Sequence, residues 1–199
     1  MMRGDPPDAR VVVLLRHGAT SWSLAGRHTG RIDVPLTDAG REEARAAGRR
    51  LAGVQVDHVL CSPLVRARES CELAGFGAHA RLDDALLEWD YGAYEGRTTA
   101  DIRAERPGWS LFRDGCPDGE SVADVGARVD PLLARLRDAD GTWLLVAHGH
   151  VLRVLGARWA GLEPQAGARL ALGTAAACVL GFEHGAAVLR RWNDTGELP

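Results

Sequence analysis

Apolar positions along this chain fall into two kinds of run. Short continuous runs rich in β-branched residues span 11–15, 56–61 and 143–147. That pattern predicts strands buried in a parallel sheet. Between them, apolar positions recur at helical spacing. One such stretch opens at Thr37, an N-capping residue, carries Glu42 and Glu43 in its first turns, and runs to Leu51. Ser62-Pro63 has the order of an N-cap followed by proline at the first helical position, and predicts a helix to about residue 74. The pairs Thr98/Asp101 and Ser121/Asp124 have capping-box spacing and predict helices to about residues 105 and 138. Another helix is expected after residues 143–147, to about 159. Residues 82–87 read as short and extended, and 107–119 as a Gly/Pro-rich loop. Residues 174–181 and 187–192 read as a closing pair of strands around a turn at 183–185.

Strands alternating with helices predict an α/β three-layer sandwich, with a mostly parallel central sheet flanked by helices. The length of 199 residues suits one domain over 1–199, with the polar residues 1–10 expected to be flexible. In such sheets, ligands bind beyond the carboxyl ends of strands. Three chemically loaded segments fall at those ends: Arg16-His17-Gly18, Ser62-Pro63 leading to Arg66, and His148-Gly149. Their shared position weighs more than any one of them.

Composition then narrows the chemistry. All 24 residues counted as lysine or arginine are arginine. Amine chemistry such as a Schiff base is therefore excluded, and every such cation is a planar fork suited to carboxylates and phosphates. Most of these arginines, Arg68 among them, are expected on the solvated surface. The net charge of −3 argues against a nucleic-acid binder. No apolar run approaches the ~20 residues needed to span a bilayer, so no membrane partner is expected. Residues 1–10 lack a signal-peptide core, which points to the cytoplasm. Four cysteines without metal or redox spacing are expected to be free thiols. His148 and His150 have no carboxylate or cysteine at ligand spacing, so no metal is expected. Trp109, Trp143, Trp159 and Trp192 read as packing residues, and Trp22 and Trp89 as borders of a pocket.

Two arginines, two histidines and a helix N-terminus suit a phosphate group. Arginine binds phosphate through paired, charge-assisted hydrogen bonds, and a helix N-terminus offers free N–H groups. Histidine can act as a nucleophile and form a covalent intermediate. Fixed donors stabilise the charge spread over a phosphoryl group in transfer. The leaving oxygen needs a proton. Apolar surroundings favour the protonated form of a carboxyl group, and Glu88, between Leu87 and Trp89, is the candidate donor, with Asp90 its rival.

The residues then reach a family. Residues 14–22, Leu-Leu-Arg-His-Gly-Ala-Thr-Ser-Trp, resemble the L-x-R-H-G-x-T-x-W signature of the histidine phosphatase superfamily, also called phosphoglycerate mutase-like. Further blocks follow in order at 26–30, 33–37, 62–67, 88–96, 119–121 and 146–149, and cover nearly the whole chain. The resemblance implies His17 as the nucleophile that becomes a phosphohistidine. It implies Arg16, Arg66 and His148 as phosphate ligands, Glu88 as proton donor and then acceptor, and help from the Gly149 backbone. Thr29, Gly30 and Tyr91 match pocket positions of mutases. Ser23 stands where many members have asparagine, and His150 where mutases have asparagine. No metal or organic cofactor is implied. The expected partner is a phosphorylated small molecule, and a homodimer is compatible with the pattern.

Glycolytic mutases carry a basic insertion between the proton donor and the Gly-Glu-Ser segment, and Glu88 to Ser121 here is short. That favours a phosphomonoesterase over a phosphoglycerate mutase. Residues 88–96 and 115–121 are similar to broad-specificity acid phosphatases, and residues around Trp22 and Thr29 to sugar-bisphosphate phosphatases. A catalytically silent binding domain is disfavoured, because all five core residues are present.

Overall fold

The computed structural model describes residues 10–196. The expectation of a flexible segment 1–10 lies outside them, except for Arg10. In chain order the elements are β1 (Val11–Arg16), α1 (Ser21–Leu24), α2 (Asp38–Leu51), β2 (His58–Cys61), α3 (Val65–Leu73), β3 (Ala80–Leu82), α4 (Thr99–Glu105), α5 (Leu111–Asp114), α6 (Val122–Asp138), β4 (Thr142–Ala147), α7 (Gly149–Trp159), β5 (Ala177–Glu183) and β6 (Ala186–Asp194). Six strands form one mixed sheet in the order β3-β2-β4-β1-β5-β6. The first four of that order pair in parallel, while β5 runs antiparallel to β1 and β6 antiparallel to β5.

Strand periodicity builds the layers. Successive side chains of a strand point to opposite faces. Val12 and Leu14 of β1 therefore pack with Leu145 of β4, Leu132 and Val129 of α6, and Leu152 and Leu155 of α7. Val13 and Leu15 pack on the other face with Leu144 and Val146, Ala47 and Leu51 of α2, and Ala67 and Cys71 of α3. Runs that are apolar on both faces become the two central strands. α2 begins after the predicted cap, with the Thr37 hydroxyl accepting from the Gly40 N–H at 3.0 Å. Both capping boxes form, at Thr98/Asp101 and Ser121/Asp124.

Several expectations are corrected. Ser62 does not cap α3: the helix starts at Val65 after Leu64, which caps without a side-chain bond. The Ser62 hydroxyl is turned to His148 instead. Residues 82–87 are not one extended piece. β3 ends at Leu82, and a 3-10 turn at Asp84–Leu86 follows, capped by Asp83 accepting from the Ala85 N–H. The loop at 107–119 contains the short helix α5. β5 starts at Ala177 rather than 174, because Ala175 has φ 49, outside the extended region. Trp22 and Trp89 do not border the pocket described below. Trp89 is core, its Nε1 donating to the Glu120 carbonyl at 2.8 Å, and the Trp22 ring lies against Gly96. Among the described residues no helix is long and apolar enough to cross a membrane.

Candidate active site

β1, β2 and β4 end side by side, and the segments after β1 and β4 line one cavity of about 250 Å³. Arg16 closes β1 and His17 follows it. Gly18 must be glycine, since a Cβ there would lie 2.1 Å from the Gly40 carbonyl oxygen. That contact seats the turn after His17 directly on α2.

The His17 ring is 4 % exposed. Its Nδ1 lies 2.7 Å from the Gly18 carbonyl oxygen, which can only accept, so Nδ1 carries the proton. The lone pair of Nε2 is left free. Burial first, then the charges of Arg16 and Arg66, hold this imidazole well below its ordinary pKa. It is therefore neutral at physiological pH, as a nucleophile must be.

His148 is fully buried, its ring centroid 5.1 Å from that of His17. Its Nε2 lies 2.7 Å from the Ser62 hydroxyl. The same hydroxyl oxygen accepts from the Leu64 N–H at 3.4 Å, and its own proton is available to the His148 ring when the ring proton sits on Nδ1. Burial, with Arg66 next, holds His148 well below its ordinary pKa.

Arg66 is fully buried and knits the loop 29–32 to α3. Its Nη2 donates to the carbonyls of Thr29 and Gly30 at 3.0 and 2.8 Å, and its Nη1 to Ile32 at 3.0 Å. Ser70 links it to the nucleophile turn: the Ser70 hydroxyl donates to the Arg66 carbonyl and accepts from the Gly18 N–H. Three buried nitrogens beside the two imidazoles have no partner: Arg16 Nε, Arg66 Nε and His148 Nδ1.

Glu88 is buried at the N-terminus of α7. Its Oε1 accepts from the N–H groups of Trp89 and Val151 at 2.9 and 2.8 Å, and its Oε2 from His150 at 3.0 Å. The apolar surroundings expected from sequence are thus only half of its setting. The segment that carries it is braced from outside the site. Arg128 donates to the carbonyls of Ala85 and Leu87 and pairs with Glu120 at 2.9 Å. Glu120 in turn accepts from the Asp90 N–H at 2.8 Å. Asp90 accepts from the Gly92 N–H at 3.0 Å and does not line the cavity, whereas Glu88 does.

Of the other predicted residues, Ser23, Thr29, Tyr91 and Gly149 line the cavity. The Ser23 hydroxyl is shared with a capping box at Thr20, donating to the Thr20 carbonyl and accepting from its N–H. Gly30 does not line the cavity. It serves through its carbonyl on Arg66, and a Cβ there would meet Glu95 at 2.4 Å. Arg66 and His148 likewise lie beneath the wall. Gly149 sits under Arg16, where a Cβ would stand 3.3 Å from the guanidinium.

His28 and His150 join the site: His150 Nδ1 lies 2.6 Å from the Tyr91 hydroxyl, and the His28 ring packs 4.8 Å from Tyr91. Burial lowers His28 to about 4 and His150 well below its ordinary value, and raises the Tyr91 hydroxyl. Sequence reasoning placed Ser62 at the site but gave it a capping role, and it missed Arg27, Thr99, Leu172 and Arg153. Helical spacing carried a signal for Arg153, four residues past Gly149 on α7. A second cavity of about 980 Å³, beside Cys61 and Cys71, holds none of these groups. Among the described residues no cluster of three or more His, Cys, Asp or Glu side chains is placed to hold a metal.

A free imidazole nitrogen, unpartnered guanidinium donors and a buried carboxyl group at the strand ends of an α/β sheet define a phosphoryl-handling enzyme. The family model for the histidine phosphatase superfamily (branch 1) matches residues 12–195, and the chain belongs to that family. It is 44% identical over 178 residues to an acid phosphatase of Mycobacterium tuberculosis, covering 87% of each chain. It is 38% identical over 179 residues to the 2,3-bisphosphoglycerate-dependent phosphoglycerate mutase of Brucella melitensis biotype 2, covering 79% of this chain and 84% of that one. The solved structure of open reading frame Rv3214 from M. tuberculosis superposes with a TM-score of 0.90 at 42% identity, over 94% of this chain and 99% of that one. This chain is a phosphatase of the histidine type.

Proposed function

We propose that the substrate is a small phosphorylated metabolite, and that its phosphoryl group passes to Nε2 of His17 and then to water. The observation that carries this reading is the set of buried, unpartnered nitrogens Arg16 Nε, Arg66 Nε and His148 Nδ1 beside that free nitrogen, the last a donor when its ring accepts from Ser62. Unpartnered buried polar groups are rare because each is destabilising, and a phosphate would satisfy all three.

In the first step the P–O bond to the leaving group breaks as a P–N bond to His17 forms. The leaving oxygen takes the proton of Glu88. In the second step Glu88 accepts a proton from water, whose oxygen attacks phosphorus and releases His17 Nε2. Arg16, Arg66 and His148 hold the equatorial oxygens throughout. No step calls for a metal. Ser23, Thr29 and Tyr91 wall the substrate, Gly30 positions Arg66, and the open Cα face of Gly149 lets Arg16 lie close. Four free cysteines support a cytoplasmic setting.

The test is hydrolysis of a generic aryl phosphate in excess EDTA. The expected result is full activity with the chelator present, and strict dependence on a divalent cation would refute the mechanism. The mutase activity of the Brucella relative is the runner-up. It would be shown by interconversion of 3- and 2-phosphoglycerate under a bisphosphate primer.

A further inference from the structure

The cavity wall holds two cations that hydrolysis does not use, Arg27 and Arg153. Arg153 lies four residues past Gly149 on α7, so the two share a face of the helix, and both line the cavity. Its fork is anchored on its outer side. Nε donates to the Gly167 carbonyl at 3.0 Å and Nη2 to Ala168 at 3.2 Å, and the guanidinium carbon stands 4.7 Å from the Phe112 ring centroid. None of these partners is a carboxylate. Burial acts against its charge, and Glu88 elsewhere in the cavity wall favours it without pairing with the fork.

The charge balance of the wall points the same way. Arg16, Arg27 and Arg153 line the cavity, and Glu88 is the single carboxylate among its lining residues. A bound phosphoryl group takes Arg16, and Arg66 from below. Arg27 stands exposed at the rim, its Nη1 donating to the Gly96 carbonyl at 2.9 Å. Arg153 is then left as an anchored, half-buried cation on the wall beside the remainder of the substrate.

We propose that Arg153 makes this enzyme selective for phosphomonoesters that carry a second anionic group, a carboxylate or another phosphate, near the ester oxygen. This rests on the phosphatase reading and refines its substrate class. It also replaces what the short span between Glu88 and Ser121 withholds: the second anion is gripped from α7, inside the cavity wall.

Three non-hydrolysable probes separate the two ideas in calorimetry: propylphosphonate, 3-phosphonopropionate and propane-1,3-bisphosphonate. The wild type should bind each doubly anionic probe at least about tenfold more tightly than propylphosphonate, the size of one charge-assisted hydrogen bond. Arg153→Gln should bring that ratio close to one. Arg153→Lys, which keeps the charge but not the fork, should retain part of it. Equal binding of all three probes by the wild type, or an advantage that survives in Arg153→Gln, would overturn the proposal. Failure of the wild type to bind any of the three would refute the phosphate site itself. Should Arg153→Gln not fold, Arg153→Lys carries the assignment, and an undiminished advantage of the doubly anionic probes in that variant would overturn it.

Discussion

Replacing Glu88 by glutamine removes a transferable proton while keeping the shape of the side chain. The carboxyl group accepts three backbone N–H bonds, two on Oε1 and one on Oε2. A glutamine amide oxygen can keep the pair from Trp89 and Val151, but its NH₂ then faces the His150 N–H, donor against donor. That clash is destabilising by about 1–3 kcal/mol and acts on every substrate alike. The missing proton acts differently. General acid catalysis contributes about 10²–10⁴-fold, or roughly 3–5 kcal/mol of barrier, when the leaving oxygen is a poor one. It contributes little when a nitrophenolate leaves unaided. The assay is therefore a ratio: kcat/KM for an alkyl phosphate over kcat/KM for p-nitrophenyl phosphate, in wild type and Glu88→Gln. The ratio should fall by about two orders of magnitude or more. The positional effect cancels in it. An equal loss for both esters would show that Glu88 only positions the start of α7, and would refute its role as the acid.

Two further outcomes follow from the same geometry. His17, His28, His148 and His150 all have lowered pKa values in the fold, His28 to about 4. Between those values and the ordinary 6.5 the unfolded chain binds more protons, so stability should fall as pH drops below about 6.5 and keep falling towards 4 and beyond. A melting temperature flat across that window would contradict the buried neutral imidazoles. Ser62→Ala leaves His148 without its hydroxyl partner, and kcat/KM for aryl phosphate should drop about tenfold through lost ring orientation. Unchanged kinetics would show that the 2.7 Å contact holds nothing in place.

Local rules made much of the fold legible. The β-branched runs at 11–15 and 143–147 are the two central strands, because a strand buried on both faces leaves no polar alternation. Thr37, Thr98 and Ser121 mark their helix starts because each hydroxyl is used within its own turn. Ser62 misled for the converse reason. Its hydroxyl is recruited by His148, 86 residues away in sequence, and local propensity carries no information about such a contact. The 3-10 turn that Asp83 caps is too short to show a period in the sequence.

The same division holds in the active site. Arg16, His17 and Gly149 meet at one cavity, as strand-end logic implies, and Glu88 joins them there, as the family resemblance implies. Arg153 belongs there too, but only its register on α7 relative to β4 shows which of its neighbours it faces. The burial of Arg66 and His148 beneath the wall was equally invisible, since it depends on how the loop at 29–32 folds back over α3.

The most direct test of the central reading is to quench turnover with a labelled aryl phosphate in alkali, where phosphohistidine survives, and to map the modified peptide by mass spectrometry and ³¹P NMR. The expected result is one labelled residue, His17, phosphorylated on Nε2, the nitrogen left free by the Nδ1 contact to Gly18. Label on His148 instead, or turnover with no phosphoenzyme at any time after mixing, would contradict it.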